Sequence, residues 1–189
     1  MLNQALAFVD IETTGLDNQS HEIIELGVVV AKMKDDELIV TDELNLKIQP
    51  KNIEGADAQA LRINGYNPAD WLFAVSLEDA MKEFAKKTEG AIFVAHNITF
   101  DYGFIENAFK KTGIENKMHF HKLDTISLAF GILHTNDDIG KLSLRALCEK
   151  YNIENKKAHS AFADAYATYE VFKKLMNLEL LLFLPHTTK

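Results

Sequence analysis

The stretch Phe8-Val9-Asp10-Ile11-Glu12-Thr13-Thr14-Gly15 decides how this chain is read. From residue 5 to residue 11 apolar side chains fall on both parities of the strand repeat, as in a central strand covered on both faces. Asp10 and Glu12 break that pattern at its far end. Two residues apart on a strand, their side chains leave the same face. Carboxylates held that close in apolar surroundings repel each other and lose hydration, so they must be protonated, paired or bound to cations. On these residues alone, metal binding and a capping role at the Thr13-Thr14-Gly15 turn are equally supported.

The segments on either side of this stretch extend the pattern. Residues 22–31 and 38–48 read as two more strands joined by the charged Lys34-Asp35-Asp36 segment, which predicts an antiparallel meander. The period then changes. Residues 56–63 predict a short helix ended by Asn64-Gly65. Residues 76–88 predict a longer one, with Ser76 and Asp79 at capping-box spacing and Leu77, Ala80, Met81 and Phe84 on its apolar face. Residues 91–95 form a short apolar strand, followed by a helix carrying Phe104, Ile105, Ala108 and Phe109 and ending at Gly113. Helices are also expected over 125–133, 143–151 and 161–176. A meander followed by strand–helix alternation predicts an α/β fold, a mixed sheet flanked by helices. With 189 residues and no linker, repeat or low-complexity tract, a single domain spanning 1–189 with its core over about 5–176 is expected.

Two more clusters carry acidic residues. Asp101 closes His96-Asn97-Ile98-Thr99-Phe100-Asp101 and opens a helix, where the macrodipole favours an aspartate in any case. His159 and Asp164 are five residues apart, roughly 140° around a helix, and cannot share one helical face. They converge only if His159 lies in the preceding loop, Ser160 caps the helix and Asp164 points inward from its first turns. A histidine so placed beside a metal-binding carboxylate is a candidate general base. Cys148, the single cysteine, excludes an intrachain disulfide and is expected in the core of a chain kept in a reducing cytoplasm. The residues preceding the first strand lack the basic flank and cleavage site of a signal peptide, and the longest apolar run is far too short for a bilayer, so no membrane association is expected.

Taken together and in this order, the three clusters resemble the DEDD exonucleases of the subgroup whose fifth residue is histidine. Residues 8–15 are similar to that family's first motif, 96–101 to its second, and His159-Ser160-Ala161-Phe162-Ala163-Asp164-Ala165 to its third. Leu123-Asp124-Thr125-Ile126-Ser127-Leu128-Ala129 and Leu142-Ser143-Leu144-Arg145-Ala146-Leu147 fit supporting segments, and the match runs from about residue 5 to about 176. The resemblance implies a ribonuclease H-like mixed five-stranded sheet flanked by helices. It implies a metal-dependent 3′–5′ exonuclease, a hydrolase of phosphodiester bonds at the 3′ end of single-stranded DNA or RNA that releases nucleoside 5′-monophosphates.

The resemblance also implies roles. Asp10, Glu12, Asp101 and Asp164 would hold two divalent cations roughly 3.5–4 Å apart, Mg2+ or Mn2+ as suits hard oxygen ligands. Asp10 would contact both ions, Glu12 and Asp164 the one carrying the attacking water, and Asp101 chiefly the second. His159 would take the proton from that water. Thr13 and Thr14 would hold the terminal nucleotide, and Phe100 is in position to approach a base, though a core aromatic is an equal reading. His96 and Asn97 would shape the loop before Asp101, Asp124 would start a helix, and Lys156 and Lys157 would either meet substrate phosphates or stay solvated.

The net charge of −8 argues against a wide duplex-gripping surface and is compatible with a grip on a few terminal nucleotides through cations. An oligoribonuclease-like hydrolase of very short fragments is therefore one alternative, and a proofreading subunit bound to a polymerase is another. No long tail follows the third motif, which favours a stand-alone nuclease. Residues 59–65 resemble the ribonuclease T side of the family, except that Ile63 stands where a stacking aromatic is expected. A binding module that has lost catalysis is opposed by all five catalytic positions being filled. Several members of the family form dimers, and residues 178–184 would serve either a homodimer contact or the chain's own core.

Overall fold

The computed structural model describes residues 4–134, 140–155 and 159–182, with side chains up to residue 177. Strand β1 (Leu6–Thr13) pairs antiparallel with β2 (Ile23–Lys34), and β2 pairs antiparallel with β3 (Glu37–Lys47). This is the meander expected from residues 5–48. Helices α1 (Ala58–Ile63) and α2 (Leu77–Lys87) follow, then β4 (Ile92–Ala95), parallel to β1, and α3 (Ile98–Thr112). Strand β5 (Lys122–Asp124) adds a parallel edge, and α4 (Thr125–Leu133), α5 (Leu144–Tyr151) and α6 (Ala161–Leu182) complete the chain. The sheet order is β3-β2-β1-β4-β5, a mixed five-stranded sheet.

The two parities of β1 explain the layers. Ala7, Val9 and Ile11 enter a cluster with Met81 and Phe84 of α2 and Phe104, Ile105 and Phe109 of α3. Phe8 enters a second cluster on the other face, against Ala165, Tyr169 and Phe172 of α6. Helices α4 and α5 pack on the outer side of α6 through Ala129, Leu147, Val171 and Leu175, and buried Cys148 lies in that cluster. Burial pushes its thiol up to about 11, so it stays protonated and packs as a small apolar group.

Local signals set the helix starts. Ser76 Oγ accepts from the Asp79 N–H, capping α2 as expected, but the Asp79 carboxylate accepts from the Ser76 hydroxyl rather than from its backbone N–H, so the capping box is only half formed. Asp57 caps α1 and Ser143 caps α5. Residue patterning on its own pointed to only four strands. Strand β5 has three residues, too few to show a period, and its partner β4 supplies the bonds that make it a strand. Among the described residues no helix is long and apolar enough to cross a membrane.

Candidate active site

Asp10 and Glu12 leave β1 on the side that Phe8 shares, toward α6. The β1–β2 register shifts immediately after Glu12, so the ladder ends where the carboxylates stand and the chain turns into Thr13-Thr14-Gly15. Asp101, in the first turn of α3, is only 3% exposed, and its Oδ1 accepts from the Ile11 N–H at 3.2 Å. That bond ties α3 to β1 between the two motif-one carboxylates.

His159 precedes α6 with φ +69°, a left-handed conformation that lets its own N–H donate to Asp164 Oδ2 at 2.9 Å. The other oxygen, Asp164 Oδ1, accepts from Asn155 Nδ2. His159 thus lies in the loop and Asp164 in the first turns of the helix, the arrangement their spacing demanded. Ser160 stands just before α6, and its carbonyl accepts from the Asp164 N–H at 3.0 Å.

These elements converge. One ligand atom each of Glu12, His159 and Asp164 lies within 4.8 Å of the others, the only such metal-capable group of three or more found among the described residues. His159 therefore stands within the donor set, not only behind it. Asp10 and Asp101 adjoin that group, and the charges show it. Burial first, then Asp101, Asp164, Glu12 and Glu25, hold the Asp10 carboxyl well above its ordinary value. Burial, Asp164 and Glu25 raise Glu12 to about 7. Burial raises Asp101 to about 8, against the N–H donors that favour its charged form, while Glu12 and Asp124 raise it further. A cluster of hard oxygen donors that resists ionisation on its own fits divalent cations, which restore the charge balance that burial removes.

The neighbouring residues build the walls. Thr13 and Thr14 are buried, and their hydroxyls serve the turn: Thr13 Oγ1 donates to the Gly15 carbonyl at 2.7 Å, and Thr14 Oγ1 accepts from the Glu22 N–H at 2.9 Å. Phe100 is half-buried on α3, its ring 5.0 Å from that of Phe104 and packed on the core. Asp124 caps α4 through the Ile126 N–H at 3.2 Å and also accepts from the Asn97 N–H at 3.1 Å. Asn97 is left-handed at φ +71°, and His96 Nδ1 meets Thr125 Oγ1 at 2.9 Å. These residues shape the loop before Asp101, as expected. Lys156, Lys157 and the side chains of residues 178–184 lie outside the described residues.

Four contributors escaped the sequence reading. Leu16, directly after the motif-one turn, is 80% exposed, an apolar tip with no core to fill. Asn64 Nδ2 donates to the Thr13 carbonyl at 3.0 Å and ties α1 to the motif-one turn. Asn155 orients Asp164, and Glu25 bonds the start of α6 at the Ala161 N–H at 3.2 Å. Of the four, Leu16 and Glu25 had a visible signal, an apolar residue in a turn and a carboxylate inside an apolar strand.

A family model described as Exonuclease, of the RNase T group, matches residues 7–172. A relative described as Ribonuclease T from Shewanella oneidensis is 34% identical over 184 residues, covering 89% of this chain and 80% of that protein. A DNA polymerase III PolC-type protein from Staphylococcus saprophyticus is 36% identical over 167 residues, 88% of this chain but 11% of that protein. In the crystal structure of Escherichia coli Exonuclease I with a dT13 oligonucleotide, a region corresponding to 95% of this chain and 42% of that one superposes with a TM-score of 0.77 at 18% identity. Cell-death related nuclease 4 superposes with a TM-score of 0.75 at 16% identity, over 93% of this chain and 64% of that one. The shared fold with these two structures is the ribonuclease H-like mixed sheet described above.

Proposed function

The chain belongs to the exonuclease family whose RNase T model it matches, and on that premise we propose that it removes nucleotides from the 3′ end of single-stranded DNA or RNA as a single exonuclease domain, releasing nucleoside 5′-monophosphates. The observation that carries this reading is the convergence of Glu12, His159 and Asp164 within 4.8 Å, with half-buried Asp10 and buried Asp101 beside them. Three segments far apart in sequence meet at one strand end. Asp10, Glu12, Asp101 and Asp164 would hold two divalent cations, Mg2+ or Mn2+. Bound there, the cations would stabilise charge on the attacking and leaving oxygens of the phosphodiester.

The chain's own residues supply position and a proton acceptor. His159 is exposed, so a water has room beside its ring, and the Asp164 carboxylate accepting from its backbone N–H holds the loop in place. An imidazole nitrogen of His159 takes the proton as the water oxygen attacks phosphorus and the bond to the 3′ oxygen breaks. The turn at residues 13–15, pinned through its carbonyls by Asn64 and by the Asp57 N–H (2.8 Å), offers its backbone and Leu16 to the terminal nucleotide. Phe100, half-buried on α3, and Ile63, 51% exposed, would offer apolar surface that tolerates any base. A reducing cytoplasm suits a chain whose lone thiol is buried.

The test is direct. Single-stranded DNA and RNA oligonucleotides, labelled at either end, are incubated with Mg2+, Mn2+ or EDTA. A 5′-labelled ladder that shortens stepwise with metal and not with EDTA is expected. Release of the 5′ label as a mononucleotide at the first turnover, or cleavage undiminished by EDTA, would overturn the reading. The net charge of −8 favours a grip confined to a few nucleotides, so dinucleotides belong in the same experiment. Faster turnover of dinucleotides than of long strands would assign the short-fragment activity instead.

A further inference from the structure

The β1–β2 ladder places Asp10 opposite Gly27 and Glu12 opposite Glu25. The two residues of β2 that face the motif-one carboxylates are also the two that receive the start of α6. A Cβ at Gly27 would come within 2.3 Å of the backbone of Ala161 and Phe162, so only glycine allows the helix this close. Glu25 Oε2 accepts from the Ala161 N–H at 3.2 Å, while Oε1 lies 3.6 Å from Lys47 Nζ. Lys47 is the register partner of Glu25 on β3, and its ammonium sits 3.6 Å over the Trp71 ring. Trp71 is in turn fixed by a bond from its Nε1 to the Ile24 carbonyl at 3.1 Å.

A buried carboxylate beside Glu12 adds repulsion to an already crowded acidic site, and the Glu25 charge raises both Asp10 and Glu12. Packing alone would favour an apolar residue at this position of the strand. What the carboxylate supplies is an acceptor for the first turn of α6, where free N–H groups and the macrodipole favour an anion. Lys47 holds it there, and Glu25 stands outside the group formed by Glu12, His159 and Asp164.

We propose that Glu25 is a positioning residue: held by Lys47, it docks the first turn of α6 on β2 and so sets the separation between Asp10 and Glu12 on one side and His159 and Asp164 on the other. Displacing reacting groups by about an ångström costs on the order of a hundredfold in rate, so the active site depends on this contact. The inference rests on the exonuclease reading of the site.

The experiment compares Glu25→Ala and Glu25→Gln in the full chain. It measures kcat and KM on a 5′-labelled single strand, and amide hydrogen exchange at Ala161 in the metal-free protein. Glu25→Ala should lower kcat on the order of tenfold to a hundredfold with KM held within about twofold. It should also speed exchange at Ala161 selectively. Glu25→Gln keeps an oxygen acceptor without the charge and should restore most of both. Wild-type kcat and exchange in Glu25→Ala would overturn the proposal, as would a Gln variant as impaired as Ala. Should Glu25→Ala fail to fold, Glu25→Met, which fills the space without accepting a bond, takes its place with the same expected outcomes. A wild-type protein inactive on every strand would sink the exonuclease reading, and exchange at Ala161 would still test the docking contact.

Discussion

Asp10 lies where desolvation and four other carboxylates all oppose its ionisation, and Asp101, 3% exposed, lies in the first turn of α3 beside it. Replacing Asp10 by Asn removes a proposed cation ligand and a source of repulsion together. Cleavage should be abolished, while the metal-free protein should melt higher than wild type near pH 8. Calorimetry in EDTA beside a gel assay checks both, and a variant that still cleaves at the wild-type rate would remove Asp10 from the site. His159 tests a different step. Its loss should lower kcat about 10²- to 10⁴-fold, the range of a general base, with the melting temperature unchanged. Full activity in His159→Ala would mean that the attacking water loses its proton elsewhere. At this scale the sequence was informative where residue type is itself the signal: Glu12, His159 and Asp164, singled out from their type and spacing, meet within 4.8 Å, and Asp10 and Asp101 are proposed to complete the site with them. It was silent on Asn64 and Asn155, because an amide can bond in many places and only the folded neighbours select one.

Helix α6 brings His159 and Asp164 to the sheet, and β2 receives it. The close approach at Gly27 is backbone on backbone, so a methyl group there cannot be absorbed by a side-chain rotation. Gly27→Ala should cost about 1–3 kcal/mol by overpacking and lower kcat as α6 is pushed from β2. Denaturant unfolding together with steady-state kinetics would show both effects. Unchanged stability would mean that the helix has slack at this contact. Element types were legible wherever a run was long enough to show its period: β1, β2, β3, α2 and α6 follow their apolar spacing. The three residues of β5 were not, nor the extension of α6 to Leu182, since edge pairing and helix length are decided by what lies alongside.

The acidic cluster couples the site to the stability of the whole molecule. Glu12 at about 7, Asp101 at about 8 and the raised Asp10 each bind a proton more tightly in the folded chain than in the unfolded one. Between an ordinary carboxyl value of about 4 and about 8, the folded state therefore holds more protons. The contribution of these groups is fully present at low pH and is lost as pH rises through that window. The melting temperature in EDTA should fall from about pH 5 to about pH 8, and Mn2+ should raise it more at the upper end than at the lower. A metal-free curve that rises over that range, or an equal metal effect at both ends, would contradict this account. By itself the sequence determined the layered α/β class, the meander, and which residue types could do the chemistry, because strand parity, helical period and paired acids are local signals. Only the tertiary structure decided that Glu25 and Gly27 receive α6, that His159 joins Glu12 and Asp164 within 4.8 Å, and that β5 completes the sheet. Those outcomes depend on residues up to 136 positions apart meeting in space, and no local pattern encodes which partner each will find.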